Sequence, residues 1–353
     1  MKKILPFSNP TITSWTWTAA TFSILGNYPK CLPWLYNNFI QLFCECYEKW
    51  VSLHYIPHVD VFSVCPFFHS SLIPRSFLLD LNISLNSFIR TCINHNYYVY
   101  CIIDESYISR KKRFLHELLI YGYDDSTQTY NIADFTLTST QKYTQSTTSY
   151  DSINKGYASI RPHEDCLTDG LGGIGGIYIF SVNPNYNYDF DIDLMKNYLN
   201  DYISGSDSGY PYRTYNLKRQ TGSNTGLQSI SYGLDIYDML QKYYKEVKQE
   251  EKTFFIQPLH VLYDHKYLML QRLLYLNKEL KFKIPNSLLK EYSVLFSEVN
   301  ILRNLGIKYW VSRKVSALDT VISRLPGIKQ KDLDLTTERE YPKICVNLQT
   351  DVR

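Results

Sequence analysis

No run of apolar residues in this chain approaches the roughly 20 that a membrane-spanning helix needs, so a helical membrane protein is not expected. The start Met1-Lys2-Lys3-Ile4-Leu5-Pro6-Phe7 imitates a signal peptide, but Ser8-Asn9-Pro10 ends the apolar stretch well short of the ~7–15 residues of an export signal, and a cytoplasmic location is expected. The eight cysteines, at 31, 44, 46, 65, 92, 101, 166 and 345, include no CxxC pair. Neither a zinc knuckle nor a disulfide framework is therefore indicated, and in a reducing compartment most of these are buried thiols. Charge of one sign is also missing: 37 Lys and Arg against 34 Asp and Glu leave a net charge of +3. That is too little to argue for nucleic acid or an anionic membrane as partner.

What is present is the composition of a folded globule, 44% hydrophobic and 20% charged, over 353 residues. A chain of this length exceeds one ordinary core and predicts two domains, or one domain with a long helical extension. Tyrosine is abundant, with 32 residues. Their rings could line a cleft, or reflect codon bias in a chain rich in Asn, Lys and Ile.

Trp17, Ala20, Ile24 and Leu25 recur at helical spacing over 14–25, with Gly26-Asn27 as the stop. Pro33 predicts the start of a second helix whose apolar face continues through Trp34, Leu35, Phe39, Leu42 and Phe43. Interruptions by Pro and His suggest irregular chain over 51–77, followed by a helix near 85–94 and a buried strand, Tyr97-Tyr-Val-Tyr-Cys-Ile-Ile-Asp104. The Ser/Thr/Gln/Tyr tract 136–150 reads as a mobile or edge segment. From about Asn187 the periodicity is helical, with stripes at Ile236-Met239-Leu240-Tyr243-Val247, along a helix begun by Pro258, and along another begun by Pro285. The expected division is an α+β domain over 1–183, a helical domain over 184–330 and a polar tail over 331–353.

Three motifs have ordinary readings. Asp169-Gly-Leu-Gly-Gly-Ile-Gly-Gly-Ile177 is rich in glycine, but it lacks the Lys-Ser/Thr of a phosphate loop and leads into a strand-like run, so a hinge is favoured. His163, Glu164, Asp165 and Cys166 are possible metal ligands, yet adjacent residues seldom converge on one ion, and a solvated turn is the better reading. Asp264-His265-Lys266 puts charge into a helical stripe, which suggests a polar face or an interhelical ion pair.

The most informative stretch is His116-Glu-Leu-Leu-Ile-Tyr-Gly-Tyr-Asp-Asp-Ser-Thr-Gln-Thr-Tyr-Asn-Ile-Ala-Asp134. Strand-forming runs flank a polar turn at Asp124-Asp125-Ser126, so a hairpin centred on Asp125 places His116 opposite Asp134. A carboxylate beside an imidazole fixes its tautomer and stabilises its cation, as the base and orienter of a cysteine-protease triad require.

The segments 97–104, His116-Glu-Leu-Leu-Ile-Tyr-Gly-Tyr-Asp-Asp125 and Tyr130-Asn-Ile-Ala-Asp-Phe135 together resemble the amino-terminal domain of the butirosin-biosynthesis H protein family. That family is similar in fold to the bacteriocin-leader cysteine peptidases of the papain-like superfamily. Tyr232-Gly-Leu-Asp-Ile-Tyr-Asp238 and Leu262-Tyr-Asp-His-Lys-Tyr-Leu268 look like segments of relatives with the same two-part layout. The resemblance implies a papain-like domain joined to a helical one, with His116 as general base and Asp134 as its orienter. It also implies a nucleophilic cysteine at the start of the first helix, where the helix dipole acidifies a thiol.

This chain has Trp15 and Thr16 at that place. Cys31, beside Lys30 and ahead of Pro33, is the substitute candidate, Cys65 a weaker one, and Cys101 reads as core. Two functions follow as expectations. One is acyl or peptidyl transfer in peptide, polyamide or antibiotic natural-product biosynthesis, from a phosphopantetheine thioester on a carrier-protein partner to a small-molecule amine, with no cofactor of the protein's own. The other is a non-catalytic binding module that keeps the cleft while the nucleophile has gone.

Overall fold

The computed structural model describes residues 1–58, 60–109, 112–137, 142–161, 164, 176–209 and 226–337. The chain is mixed α and β, with antiparallel sheets, and divides into two compact units. The first holds Met1–Leu32 and Val59–Tyr188, the second Pro33–His58 and Asp189–Arg353. The expectation that 1–183 forms one domain is corrected here, because residues 33–58 belong to the second unit.

In the first unit a seven-stranded sheet has the order β4-β9-β5-β6-β7-β8, where β4 is Phe68–Ile73, β5 Tyr98–Asp104, β6 Leu115–Asp124, β7 Thr129–Asp134, β8 Thr144–Ser149 and β9 Ile177–Val182. The short β1, Lys2–Ile4, pairs with the far end of β6 at Gly122–Asp124, beyond the reach of β5. Every residue of β5 is buried, as expected of a strand covered on both faces. The Tyr100 hydroxyl donates to Thr16 Oγ1 (2.9 Å) on the first helix, α1, Thr16–Leu25, which is buried all round. The tract 144–149 forms the edge strand β8.

Between these elements lie α2 (Leu32–Asn37), α3 (Val61–Val64), α4 (Arg75–Asp80), α5 (Leu85–Asn94) and α6 (Tyr150–Ala158). Helix α5 buries Ile89, Cys92 and Ile93, spaced three and four apart. The long second helix expected after Pro33 stops at Asn37, and Phe39 turns the chain with φ 59. Leu42 and Phe43 then start a strand, β2 (Leu42–Tyr47). The stretch expected to be irregular also contains β3 (Val51–Tyr55), α3, β4 and α4.

The second unit joins a three-stranded sheet, β10-β2-β3 with β10 at Leu227–Tyr232, to the helices α7 (Ile192–Ser204), α8 (Ile236–Lys248), α9 (Gln257–Lys278), α10 (Asn286–Ser312) and α11 (Val315–Thr337). Lys266 on α9 and Asp332 on α11 form a fully buried ion pair, and the Tyr202 and Tyr237 hydroxyls donate to the same carboxylate (2.6 and 2.9 Å). Burial pulls the Lys266 pKa down, against the pull of Asp332. The charge at 264–266 thus serves an interhelical ion pair. Its partner lies in the segment expected to be tail, a further correction, since 331–337 is the last part of a packed helix. Among the described residues no helix is long and apolar enough to cross a membrane.

Candidate functional site

Three strand ends of the first unit's sheet build the site: β5 runs into Glu105, β6 begins beside His116, and β7 ends at Asp134. Asp104 fixes the first junction. Its Oδ1 accepts from the backbone N–H groups of Ser106 (3.0 Å) and Phe114 (3.2 Å), capping the 3-10 turn Glu105–Tyr107 and tying it to the chain entering β6. Ser109 then donates to the Thr136 carbonyl (3.0 Å), which ties the same loop to the chain leaving β7.

The register of the hairpin differs from the sequence-based expectation. Asp124 pairs with Thr129, so the turn is Asp125–Gln128, held by the Ser126 N–H donating to Asp124 Oδ1 (3.0 Å) and closed by Gln128 at φ 54. Tyr121 is an extra residue between the Ile120 and Gly122 pairings. Past this bulge Leu119 pairs with Ala133, and continuing by one step sets Asp134 opposite Leu118. His116 is two residues along from Leu118 and therefore on the same face. Without the bulge, the Asp124–Thr129 register would set Asp134 opposite Leu119, on the other face. His116 and Asp134 consequently meet on a diagonal, with Nδ1 2.9 Å from Oδ1.

At this distance the two groups form an ion pair when the ring is protonated. Asp134 is wholly buried and held by other donors: Phe135 N–H to Oδ1 (2.6 Å), and the Thr136 hydroxyl (2.5 Å) and N–H (3.3 Å) to Oδ2. Burial alone lowers the pKa of the ring. Asp134, through hydrogen bonding and charge, together with the charges of Glu117 and Glu105, outweighs burial and lifts His116 to about 9. Glu117 Oε2 lies 3.7 Å from Nε2, and Phe114 stacks on the ring at 5.4 Å.

Glu105, also wholly buried, takes the Ser109 hydroxyl on Oε2 (3.3 Å), while Oε1 has no hydrogen-bond partner among the described residues. Burial, then the charge of Asp134, pushes its carboxyl up to about 7. The site is therefore an imidazolium set among three carboxyl groups. Glu105, Glu117 and Thr136 were not singled out from sequence. The signal available was an acidic residue following the buried strand β5 and another beside the histidine.

Cys31 does not join this group. It ends the 3-10 turn Pro29–Cys31, is fully buried, and has Tyr28 and Cys65 as its titratable neighbours. Burial pushes its thiol up to about 12, the reverse of the acidification expected from Lys30 and a helix start. Cys65 is pushed up for the same reason. None of the polar contacts of His116 reaches Cys31 or Thr16. The Thr16 hydroxyl is taken by Tyr100, on which the charges of Glu117 and Asp134 also act. Of the run 163–166 only Glu164 lies within the described residues, where it pairs with Arg113 (2.6 Å). The glycine-rich stretch falls outside them up to 175. Comparison with protein-family models and with curated proteins gives no match.

Proposed function

We propose that this protein is a binding module of papain-like descent, in which the base and orienter of a cysteine-protease triad persist as a fixed cationic contact and the nucleophile is missing. The observation that carries the proposal is that the His116–Asp134 pair stands without a contacting thiol among the described residues, Cys31 being wholly buried beside Tyr28 and Cys65. Against burial, Asp134 and the neighbouring carboxylates raise the ring's pKa to about 9, which favours the imidazolium, a donor on both nitrogens. An imidazolium without a thiolate partner can hold a carbonyl oxygen, and the exposed Phe114 ring stacked on it offers an apolar neighbour. The ligand class that fits the family resemblance is an acyl or peptidyl thioester on the pantetheine arm of a carrier protein, held for a later step in natural-product assembly.

The competing reading is acyl transfer to an amine. It is favoured by the close His116–Asp134 pair and weakened by the buried, weakly acidic Cys31 thiol. Titration with a peptidyl-pantetheine thioester, observed at the His116 ring by NMR, separates the two. A saturable His116 shift with the thioester intact is the expected result. Release of free pantetheine thiol that depends on Cys31 transfers the proposal to catalysis, and no response at His116 overturns both.

A further inference from the structure

A second reactive pair lies in the second unit. Cys46 on β2 is 8% exposed, and the Lys252 Nζ, on the chain between α8 and α9, stands 3.3 Å from its sulfur. The Lys252 side chain is itself 9% exposed and directed at this spot by the Tyr47 carbonyl (2.7 Å) and the Glu246 carboxylate (3.5 Å). Gln228 Oε1 lies 4.0 Å from the sulfur on the other side. The amine nitrogen and the sulfur are thus in direct contact, the arrangement from which an S–N bond forms once the sulfur is oxidised. Burial pushes Cys31 and Cys92 up to about 12 and Cys44 and Cys65 up as well, and Cys101 is wholly buried in β5.

We propose that Cys46 and Lys252 form a reversible oxidative cross-link, a sulfenamide between Sγ and Nζ, when the protein meets a hydroperoxide. In the first step the Cys46 sulfur attacks one peroxide oxygen and the O–O bond breaks. Sulfur is oxidised to the sulfenic acid and the peroxide is reduced to water. In the second step Nζ passes its proton to water and its lone pair attacks the sulfur. The S–O bond breaks and the hydroxyl leaves as water. The sum is one thiol, one amine and one peroxide giving one S–N bond and two waters, with two electrons transferred. A thiol reductant reverses it by attacking the sulfur and releasing the amine. The neighbouring nitrogen that condenses with the sulfenic acid is here a side chain already in contact, so it competes with a second peroxide. The link joins strand β2 to the chain leading into α9, and so staples the sheet of this unit to its helices.

The test treats the full chain with hydrogen peroxide and maps peptides by mass spectrometry before and after reduction. The expected product is one Cys46 peptide joined to one Lys252 peptide, lighter than their sum by two hydrogens and separated again by reductant. Lys252→Arg keeps the cation beside the sulfur but removes the condensing amine, so Cys46 then proceeds to sulfinic acid and no cross-link forms. Sulfinic acid on Cys46 in the unsubstituted protein without any link, or a Cys46 that resists peroxide no less than Cys31, overturns the proposal.

Discussion

Replacing Asp134 by Asn removes the charge that holds His116 protonated and keeps one of the two acceptor oxygens, enough for either the Phe135 N–H on Oδ1 or the Thr136 N–H on Oδ2. The native ring rises from 6.5 to about 9 although burial opposes the rise. At about 1.4 kcal/mol per tenfold change in proton affinity, and with the side chain 21% exposed and partly screened, that rise is worth about 2–3 kcal/mol. The folded ring binds its proton more tightly than the unfolded one. The contribution is therefore complete below pH 6.5, declines as the pH rises, and is lost beyond about 9. Glu105 acts in the same direction at lower pH: its carboxyl, raised from 4.5 to about 7, favours the folded chain when protonated and loses that advantage between those values.

Urea unfolding from pH 5 to 9.5 is accordingly expected to show stability falling with pH, first through Glu105 and then through His116. In Asp134→Asn the His116 midpoint, followed by long-range proton–nitrogen NMR, returns to the ordinary imidazole range or below, because burial then meets less opposition, and the alkaline part of the slope flattens. A native His116 midpoint near 6.5, or a midpoint unmoved by the substitution, refutes the reasoning.

Alkylation with iodoacetamide near neutral pH labels Cys31 slowly in the folded protein because burial raises its thiol, and His116→Ala leaves that rate unchanged. Lys266→Met strands the buried Asp332 charge and costs about 3–5 kcal/mol by denaturant melt, most of which Lys266→Met with Asp332→Leu recovers. Gly122→Ala drives a methyl to 2.8 Å from Asn131 Oδ1 and 2.9 Å from the Lys3 carbonyl, so β1 is displaced and the midpoint of unfolding drops by the equivalent of about 1–3 kcal/mol.

The strands and helices with regular periodicity were legible: Trp17 to Leu25, Leu85 to Asn94, the fully buried β5, and the three long helices around Pro258, Pro285 and Ile236 all lie where spacing sets them. The His116–Asp134 contact was legible as a hairpin property, but for a register that the molecule does not use. Two local features, a turn at Asp125–Gln128 and the bulge at Tyr121, combine to bring the same two residues together, and neither follows from hydrophobic alternation. Residues 33–58 were misread because Trp34, Leu35, Phe39, Leu42 and Phe43 fit a helical stripe as well as they fit a short helix followed by a strand. The choice is made by β10, whose pairing with β2 comes from far along the chain. The misjudgement of Cys31 has the same origin: a sequence shows Lys30 beside it but not the burial that outweighs any neighbouring charge.

The path of the chain, which leaves the first unit at Leu32, returns at Val59 and leaves again at Tyr188, has a consequence for synthesis on the ribosome. The β2–β3 hairpin emerges early, yet its third strand, Leu227–Tyr232, follows only after the whole of the first unit has been made. At about 5–20 residues per second the wait is on the order of ten seconds or longer. Throughout it an eleven-residue set of strands that is almost entirely buried in the finished protein stands as a lone two-stranded ribbon, marginal in water and open to foreign strands along its free edge. Chains terminated near Tyr188 never receive the strand that pairs with β2 and are left in that condition permanently.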